Sequence, residues 1–318
     1  MHLNIEPKPV LSLCLNPAWQ KTLQFKDLSS GDVHRAVSKH EDGGGKGINV
    51  IRALYKLNVP AYVATFYAGA AGQKLLNNLN DLKCGQIIIQ AGHETRCCYT
   101  IIDQTKRSTT ELIEPSDVIS EQESSHLLEK IKNQIHSFSA ISFCGSYAAG
   151  IQKDFYPKIA KYAQIYDIPV IMDSCESVQE VLNIGITFLK INARELRAIT
   201  QKEELKEGAQ QLCQQYPDTF FGITNGAGIA WLFNKKNSWQ YKIPVLDKIV
   251  SPIGAGDCTT AILLRRIAEN QDPEKIFAYY KEALSCASAS CLTSSPSDFD
   301  PIEAAKIIEK IEVTKCSD

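Results

Sequence analysis

Short apolar runs of strand length recur along the chain, separated for the most part by stretches of helical period, and this alternation constrains the fold more than any other feature. The runs are Val10 to Leu15, Ala61 to Phe66, Ala140 to Phe143, Pro169 to Met172, Phe188 to Ile191 and Phe220 to Thr224. Gly47 to Leu57 opens a helix between the first two, and the last four each end on a polar or glycine-containing turn. Strands alternating with helices pair in parallel and need cover on both faces. The chain is therefore predicted to be α/β, with a largely parallel central sheet between two helical layers.

Two stretches break the alternation: Lys21 to His40, and Thr95 to Glu111 with its two-residue period around Tyr99-Thr100-Ile101-Ile102 and Ser108-Thr109-Thr110. These read as antiparallel strands. A small β-sheet lid, inserted from about 19–40 and 95–114, is expected to project from the main body and cover a ligand cleft. No low-complexity linker or internal repeat divides the chain, so 1–318 is expected to form a single domain. An exposed edge in such a lid would favour pairing between two copies, a homodimer. Adjacent Cys97 and Cys98 are expected on opposite faces of a strand.

With 44% hydrophobic and 22% charged residues, the chain can bury a sizeable core. A net charge of -2 and a pI near 6.3 give no basic field for a nucleic-acid backbone, which excludes nucleic acid as an expected partner. The N-terminus Met1-His2-Leu3-Asn4-Ile5-Glu6 lacks the basic start and apolar core of a signal peptide. No apolar run approaches the roughly 20 residues that span a bilayer, so the expectation is a cytoplasmic protein without membrane attachment. The 11 cysteines are odd in number, with no Cys-x-x-Cys pair and no histidine cluster beside them. Reduced, mostly buried thiols are expected rather than disulfides or zinc.

Chemistry is suggested first by Gly254-Ala255-Gly256-Asp257, two glycines and an acid at the start of a helical run. Free N–H groups at a helix start bind anions, and glycine lets a phosphate approach the main chain. An acid capping an ordinary helix is the alternative, but a plain cap needs no second glycine. Upstream, Asp42-Gly43-Gly44-Gly45-Lys46-Gly47-Ile48-Asn49 is a second glycine-rich turn before a helix. It is not a P-loop, because His40 stands where the first glycine belongs and Gly47 follows the lysine in place of Ser or Thr. Nor does a Gly-x-Gly-x-x-Gly fingerprint follow the first strand, which disfavours a nicotinamide dehydrogenase. The turn is either structural or suited to a hydroxyl-rich ligand, with Asn49 offering both a donor and an acceptor.

Together these segments resemble the PfkB family of carbohydrate kinases, most closely its 1-phosphofructokinase and tagatose-6-phosphate kinase branch. Leu15-Asn16-Pro17-Ala18 resembles the first-strand motif, Gly44 to Val50 the glycine-rich sugar motif and Thr95-Arg96 the lid arginine site. Cys144-Gly145-Ser146 is similar to the mid-chain Ser-Gly-Ser turn, Met172-Asp173-Ser174 to the Asp-Thr/Ser turn, and Lys190 to Glu195 to the Lys-Pro-Asn-x-x-Glu segment. Gly254 to Asp257 matches the family signature.

The resemblance implies a three-layer α/β/α ribokinase-like fold, with ATP on the C-terminal half and sugar between core and lid. It implies Asp257 as base, with the N–H groups of Ala255, Gly256 and Asp257, after Gly254, stabilising the transferring phosphoryl group. Gln20, Gly44, Gly45, Lys46, Asn49, Arg96 and Ser146 would meet the sugar; Lys190, Asn192, Thr224 and Gly226 would meet the nucleotide. Asn192 and Glu195, three apart on one helix face, would arrange Mg2+ through water; as bare residues they also read as a helix cap. Arg96 either grips a substrate phosphate bidentately or is an exposed lid arginine.

Departures from the family pattern cluster on the sugar side. Gln20 replaces an acid that accepts from sugar hydroxyls, Cys98 replaces an asparagine, and Tyr147-Ala148-Ala149-Gly150 replaces a Leu-Pro-Pro-Gly turn. Ile229 stands where a later nucleotide-side glycine falls, and Cys258 replaces a common serine after Asp257. Three functions are in view: ATP- and Mg2+-dependent phosphorylation of fructose 1-phosphate or tagatose 6-phosphate, phosphorylation of an unphosphorylated sugar or nucleoside, or ligand binding without efficient catalysis.

Overall fold

The computed structural model describes residues 7–269 and 272–316; residues 1–6, on which the signal-peptide reading rests, lie outside them. Each short apolar run is a strand, and the chain begins with β1 (Val10–Cys14), buried at every position. Then follow β2 (Ala18–Phe25), β3 (Ser38–Gly44), α1 (Lys46–Lys56), β4 (Ala61–Tyr67), α2 (Gly69–Asp81) and β5 (Gly85–Gln90). The middle holds β6 (Cys97–Asp103), β7 (Ser108–Ile113), α3 (Glu121–Gln134), β8 (Ile141–Cys144), α4 (Phe155–Ile165), β9 (Val170–Asp173) and α5 (Val178–Ile184). Next come β10 (Phe188–Asn192), α6 (Ala193–Thr200), α7 (Leu205–Gln215), β11 (Phe220–Asn225), β12 (Ile229–Phe233) and β13 (Ser238–Lys242). The chain closes with α8 (Ala255–Glu269), α9 (Ile276–Ser290), α10 (Pro301–Lys310) and β14 (Glu312–Cys316).

The main sheet has ten strands in the order β14-β13-β12-β11-β10-β9-β8-β1-β4-β5. From β11 through β5 the neighbours run parallel, whereas β12, β13 and β14 add an antiparallel edge. Successive side chains leave a strand on opposite faces, so β1 sends Leu11 and Leu13 into one core and Val10 and Cys14 into another. The first core packs α3, α4, α5, α6 and α7; the second packs α1, α2, α8, α9 and α10. These are the three layers of the α/β/α fold.

The chain leaves β1 for β4 and β5 on one side and later crosses to β8 on the other. Such a switch opens a crevice at the carboxyl ends of the strands. Register places Cys14 opposite Cys144, Cys144 opposite Asp173, and Asn192 opposite Thr224, so strand ends line this crevice as a row.

A smaller sheet, ordered β3-β2-β6-β7, stands over the same end. Each of its two stretches is an antiparallel hairpin, as the two-residue period suggests, but β2 and β6 join them in parallel. Strand periodicity alone does not distinguish the two pairings. Gly43 and Gly44 close β3, so the turn before α1 narrows to Gly45, at φ +110. A Cβ there would lie 2.6 Å from Cys14 Sγ, which shows how closely α1 springs from the end of β1.

All 11 cysteines are free, and Cys175 alone is exposed. Cys97 packs on the core while Cys98 faces the crevice, on opposite faces of β6. Among the described residues no helix is long and apolar enough to cross a membrane.

Candidate active site

The crevice between the two sheets has a volume of about 640 Å³. Its floor is the start of α8. Gly254 takes φ +81, and a Cβ on it would lie 2.6 Å from Ser297 N, so the turn admits no side chain. Ser297 Oγ donates to the Gly254 carbonyl at 2.7 Å and braces the turn. Among the described residues the N–H groups of Gly256 and Asp257 have no hydrogen-bond partner, while Cys258 N–H bonds the Gly254 carbonyl. Free N–H groups and the helix dipole together make a site for negative charge.

Asp257 lies beside these donors, 6% exposed, and accepts from Asn49 Nδ2 at 2.7 Å. Burial pushes its carboxyl above the usual range, and the Asp173 carboxylate adds to that, against the opposing pull of Lys46, Lys190 and the Asn49 amide. Asp173, at the end of β9, binds Lys46 Nζ at 2.7 Å through one oxygen and Lys190 Nζ at 2.8 Å through the other. Thr260 Oγ1 donates to it as well, at 2.9 Å. Burial opposes its ionisation, but Lys190 and Lys46 outweigh that and hold Asp173 well below the usual carboxylate range. In return Asp173 drives Lys46 upward, so its ammonium stays charged. Two acids in one site are thus pushed in opposite directions, one toward a proton acceptor and one toward a fixed counter-ion.

At the other end, Gln20 Nε2 donates to Thr100 Oγ1 at 3.4 Å, and Asn16 Nδ2 donates to Ser146 Oγ at 3.1 Å. Arg96 Nη2 donates to the Asn16 carbonyl and Nη1 to that of Glu114, while Nε is buried without a partner. Glu111 places a carboxylate on the lid wall, opposite Thr100 in the register of β6 and β7.

Of the residues singled out in the sequence, the crevice gathers Gln20, Gly45, Lys46, Asn49, Arg96, Ser146, Lys190, Asn192, Thr224, Gly254, Gly256 and Asp257. Four stand off its wall. Ala255 turns its N–H back to the Pro252 carbonyl at 3.4 Å and packs its methyl on the core. Gly44 sits behind Gln20, where a Cβ would meet Gln20 Oε1 at 2.8 Å. Gly226 forms the exposed β11–β12 turn at φ +65. Glu195 is drawn away by a reciprocal cap: Asn192 N–H donates to Glu195 Oε2, and Glu195 N–H to Asn192 Oδ1. Asn192 is therefore the cap of α6 at the end of β10 and does not share a helix face with Glu195. Among the described residues no group of three or more His, Cys, Asp or Glu could hold a metal ion.

Sequence reasoning gave no role to Asp173, Thr260, Asn16, Arg52 or Glu111. Asp173 and Asn16 stood inside quoted motifs; the others carry no local signal.

Comparison with known proteins bears on the family and the fold. The model of the pfkB family carbohydrate kinases matches residues 9–303. The fold is similar to phosphofructokinase-2 from Escherichia coli, solved with substrates and products, at TM-score 0.84 and 22% identity, covering 95% of this chain and 99% of that one. It is similar to a possible 1-phosphofructokinase from Thermotoga maritima at TM-score 0.85 and 18% identity, covering 97% and 99%. Arabidopsis thaliana ribokinase, complexed with ribose and ATP, matches at TM-score 0.72 and 18% identity over 95% and 99%. With a family match over nearly the whole chain and a ribokinase-like fold, the chain belongs to the pfkB family of carbohydrate kinases.

Proposed function

We propose that this kinase transfers the γ-phosphoryl group of ATP to a hydroxyl of a ketohexose phosphate, fructose 1-phosphate or tagatose 6-phosphate, giving the bisphosphate and ADP. The observation that carries the reading is the placement of Asp257 beside the free N–H groups of Gly256 and Asp257 in one crevice with Lys46, Lys190 and Arg96. Asp257 accepts the proton of the attacking hydroxyl as the oxygen–phosphorus bond forms and the bond to the ADP oxygen breaks. The N–H groups take up charge on the transferring phosphoryl oxygens, and Lys190 with Thr224 lines the phosphates. A loose phosphoryl transition state asks for alignment and charge stabilisation more than for a strong base.

The donor set suits magnesium through water only, since one oxygen of Glu195 is committed to its cap and, among the described residues, no group of three or more His, Cys, Asp or Glu could hold a metal ion. Asn192 and Glu195 would hold such waters, and the ion, bound with ATP, would neutralise phosphate charge. The smaller sheet acts as the lid of a single domain and excludes water. Its outer strand β7 is exposed throughout and carries Leu112 and Ile113, which supports pairing with a second copy, checked by molecular mass in solution.

A second reading, phosphorylation of an unphosphorylated sugar, is favoured by Glu111, whose carboxylate suits hydroxyls and repels phosphate, and by the two carbonyls that already engage Arg96. ADP release coupled to a dye, run across ketohexose phosphates, free sugars and nucleosides, tests both readings. Turnover of a ketohexose phosphate supports the first, preference for a free sugar supports the second, and no turnover with any acceptor rejects both.

A further inference from the structure

We propose that Arg52 is a positioning residue for Asp257: it fixes which way round the Asn49 amide sits and so keeps an Asn49 N–H on the Asp257 carboxylate. The proposal rests on reading Asp257 as the proton acceptor. Arg52 lies one turn beyond Asn49 on α1 and is 7% exposed, so its guanidinium sits in the interior rather than on the solvated side of the helix. Nη1 donates to Asn49 Oδ1 at 2.8 Å and to the Pro296 carbonyl at 3.0 Å; Nη2 donates to the Gly43 carbonyl at 2.6 Å. One fork thus ties together α1, the end of β3 and the loop before α10, the loop that also braces Gly254 through Ser297.

The consequence for Asn49 follows from donor and acceptor chemistry. The two ends of an asparagine amide have nearly the same shape, so packing does not choose between them. A guanidinium can only donate, and an ionised carboxylate can only accept. With Arg52 on one side and Asp257 on the other, only one orientation satisfies both, with Oδ1 toward Arg52 and Nδ2 toward Asp257 Oδ2. The flipped amide would face donor with donor and acceptor with acceptor. Asp257 Oδ1 keeps no other hydrogen bond among the described residues and stays available to a substrate hydroxyl. The charged groups around Asp257 are Asp173 on β9, Lys190 on β10 and Lys46 and Arg52 on α1, with the Cys14, Cys144 and Cys258 thiols on β1, β8 and α8. Asn49 is the amide through which Arg52 reaches it.

The test is a double-mutant cycle of Arg52→Lys with Asn49→Ala, read by carbon-13 NMR titration of the Asp257 carboxyl and by the pH profile of kcat/KM. Lysine keeps the charge and loses the fork. Each single variant should move the Asp257 titration and the acid limb of the profile to higher pH, with kcat down about tenfold or more and KM for ATP unchanged. The double variant should move them no further than Asn49→Ala. An unmoved titration in Arg52→Lys, or additive effects in the double variant, overturns the proposal. Should Arg52→Lys fail to fold, Arg52→Met runs through the same cycle, which subtracts the effect of its lost charge. The titration needs no turnover: a wild type that phosphorylates no sugar rejects the kinase reading alone, and an active enzyme with an unmoved titration rejects the positioning role alone.

Discussion

Lys190 holds its ammonium 2.6 Å from where a Cβ on Gly256 would sit, so the end of β10 and the first turn of α8 meet more closely than any side chain at 256 permits. The same ammonium is bonded to Asp173 at 2.8 Å. Gly256→Ala should therefore push Nζ off its partner and intrude on the anion site. We expect kcat/KM to fall by about 100-fold, the scale of a 1 Å misplacement. Melting temperature should fall, because alanine's preference over glycine in a helix, about 1 kcal/mol, offsets only part of the loss of the buried Lys190–Asp173 pair. Steady-state kinetics and thermal denaturation on one preparation check this.

Lys190→Met leaves Asp173 buried with Lys46 as its remaining ammonium partner, and unpairing a buried charge costs about 3–5 kcal/mol. The Asp173 carboxyl titrates below its unfolded value of 3.8 in the folded protein, so it adds stability above that value and loses it as pH falls through the lower folded one. Removing Lys190 raises the folded value and shrinks that contribution. Urea titrations should show the wild-type advantage greatest near neutral pH and fading in strong acid.

Asp257 has the opposite sign. Its folded value lies above the unfolded one, so its contribution to stability is present below the unfolded value and is lost as pH rises through the folded one. Asp257→Asn removes the buried charge while an amide oxygen can still accept from Asn49. Its melting temperature at pH 8 should exceed the wild type's, by about 2–4 °C for each kcal/mol relieved. The gap should close in acid, where the wild-type carboxyl is protonated.

Arg96 separates the two sugar readings. If it contacts a substrate phosphate, Arg96→Ala should lower kcat/KM for the ketohexose phosphate about 10- to 150-fold, equivalent to roughly 1.5–3 kcal/mol. For a free sugar the same change should have little effect, whereas Glu111→Gln should raise KM. Parallel kinetics on both substrates decide between them.

The parallel sheet was legible because its strands are short apolar runs such as Phe188 to Ile191, which no solvated segment would carry. The antiparallel edge was not: β13, Ser-Trp-Gln-Tyr-Lys, mixes buried and half-exposed positions and joins the sheet only through its neighbours. Gly254 to Asp257 was legible because its glycines and acid are contiguous. Asp173 drew no role because its meaning lies in Lys46, Lys190 and Thr260, brought in from three other elements. Arg52 reads as an ordinary helix arginine until Gly43 and Pro296 close over it. Asn192 and Glu195 showed the reverse: the family resemblance implied metal-bound water there, while the same spacing writes a reciprocal cap, and local hydrogen bonds formed the cap.

If Asp257 accepts the proton in phosphoryl transfer from ATP to a sugar hydroxyl, replacing it with an amide removes the base. The most direct measurement is kcat of the wild type and of Asp257→Asn with the best sugar acceptor, alongside calorimetric ATP affinity for both. We expect kcat to fall about 100-fold or more, the scale of a lost general base, with ATP affinity nearly unchanged. Equal kcat in the two proteins would contradict it.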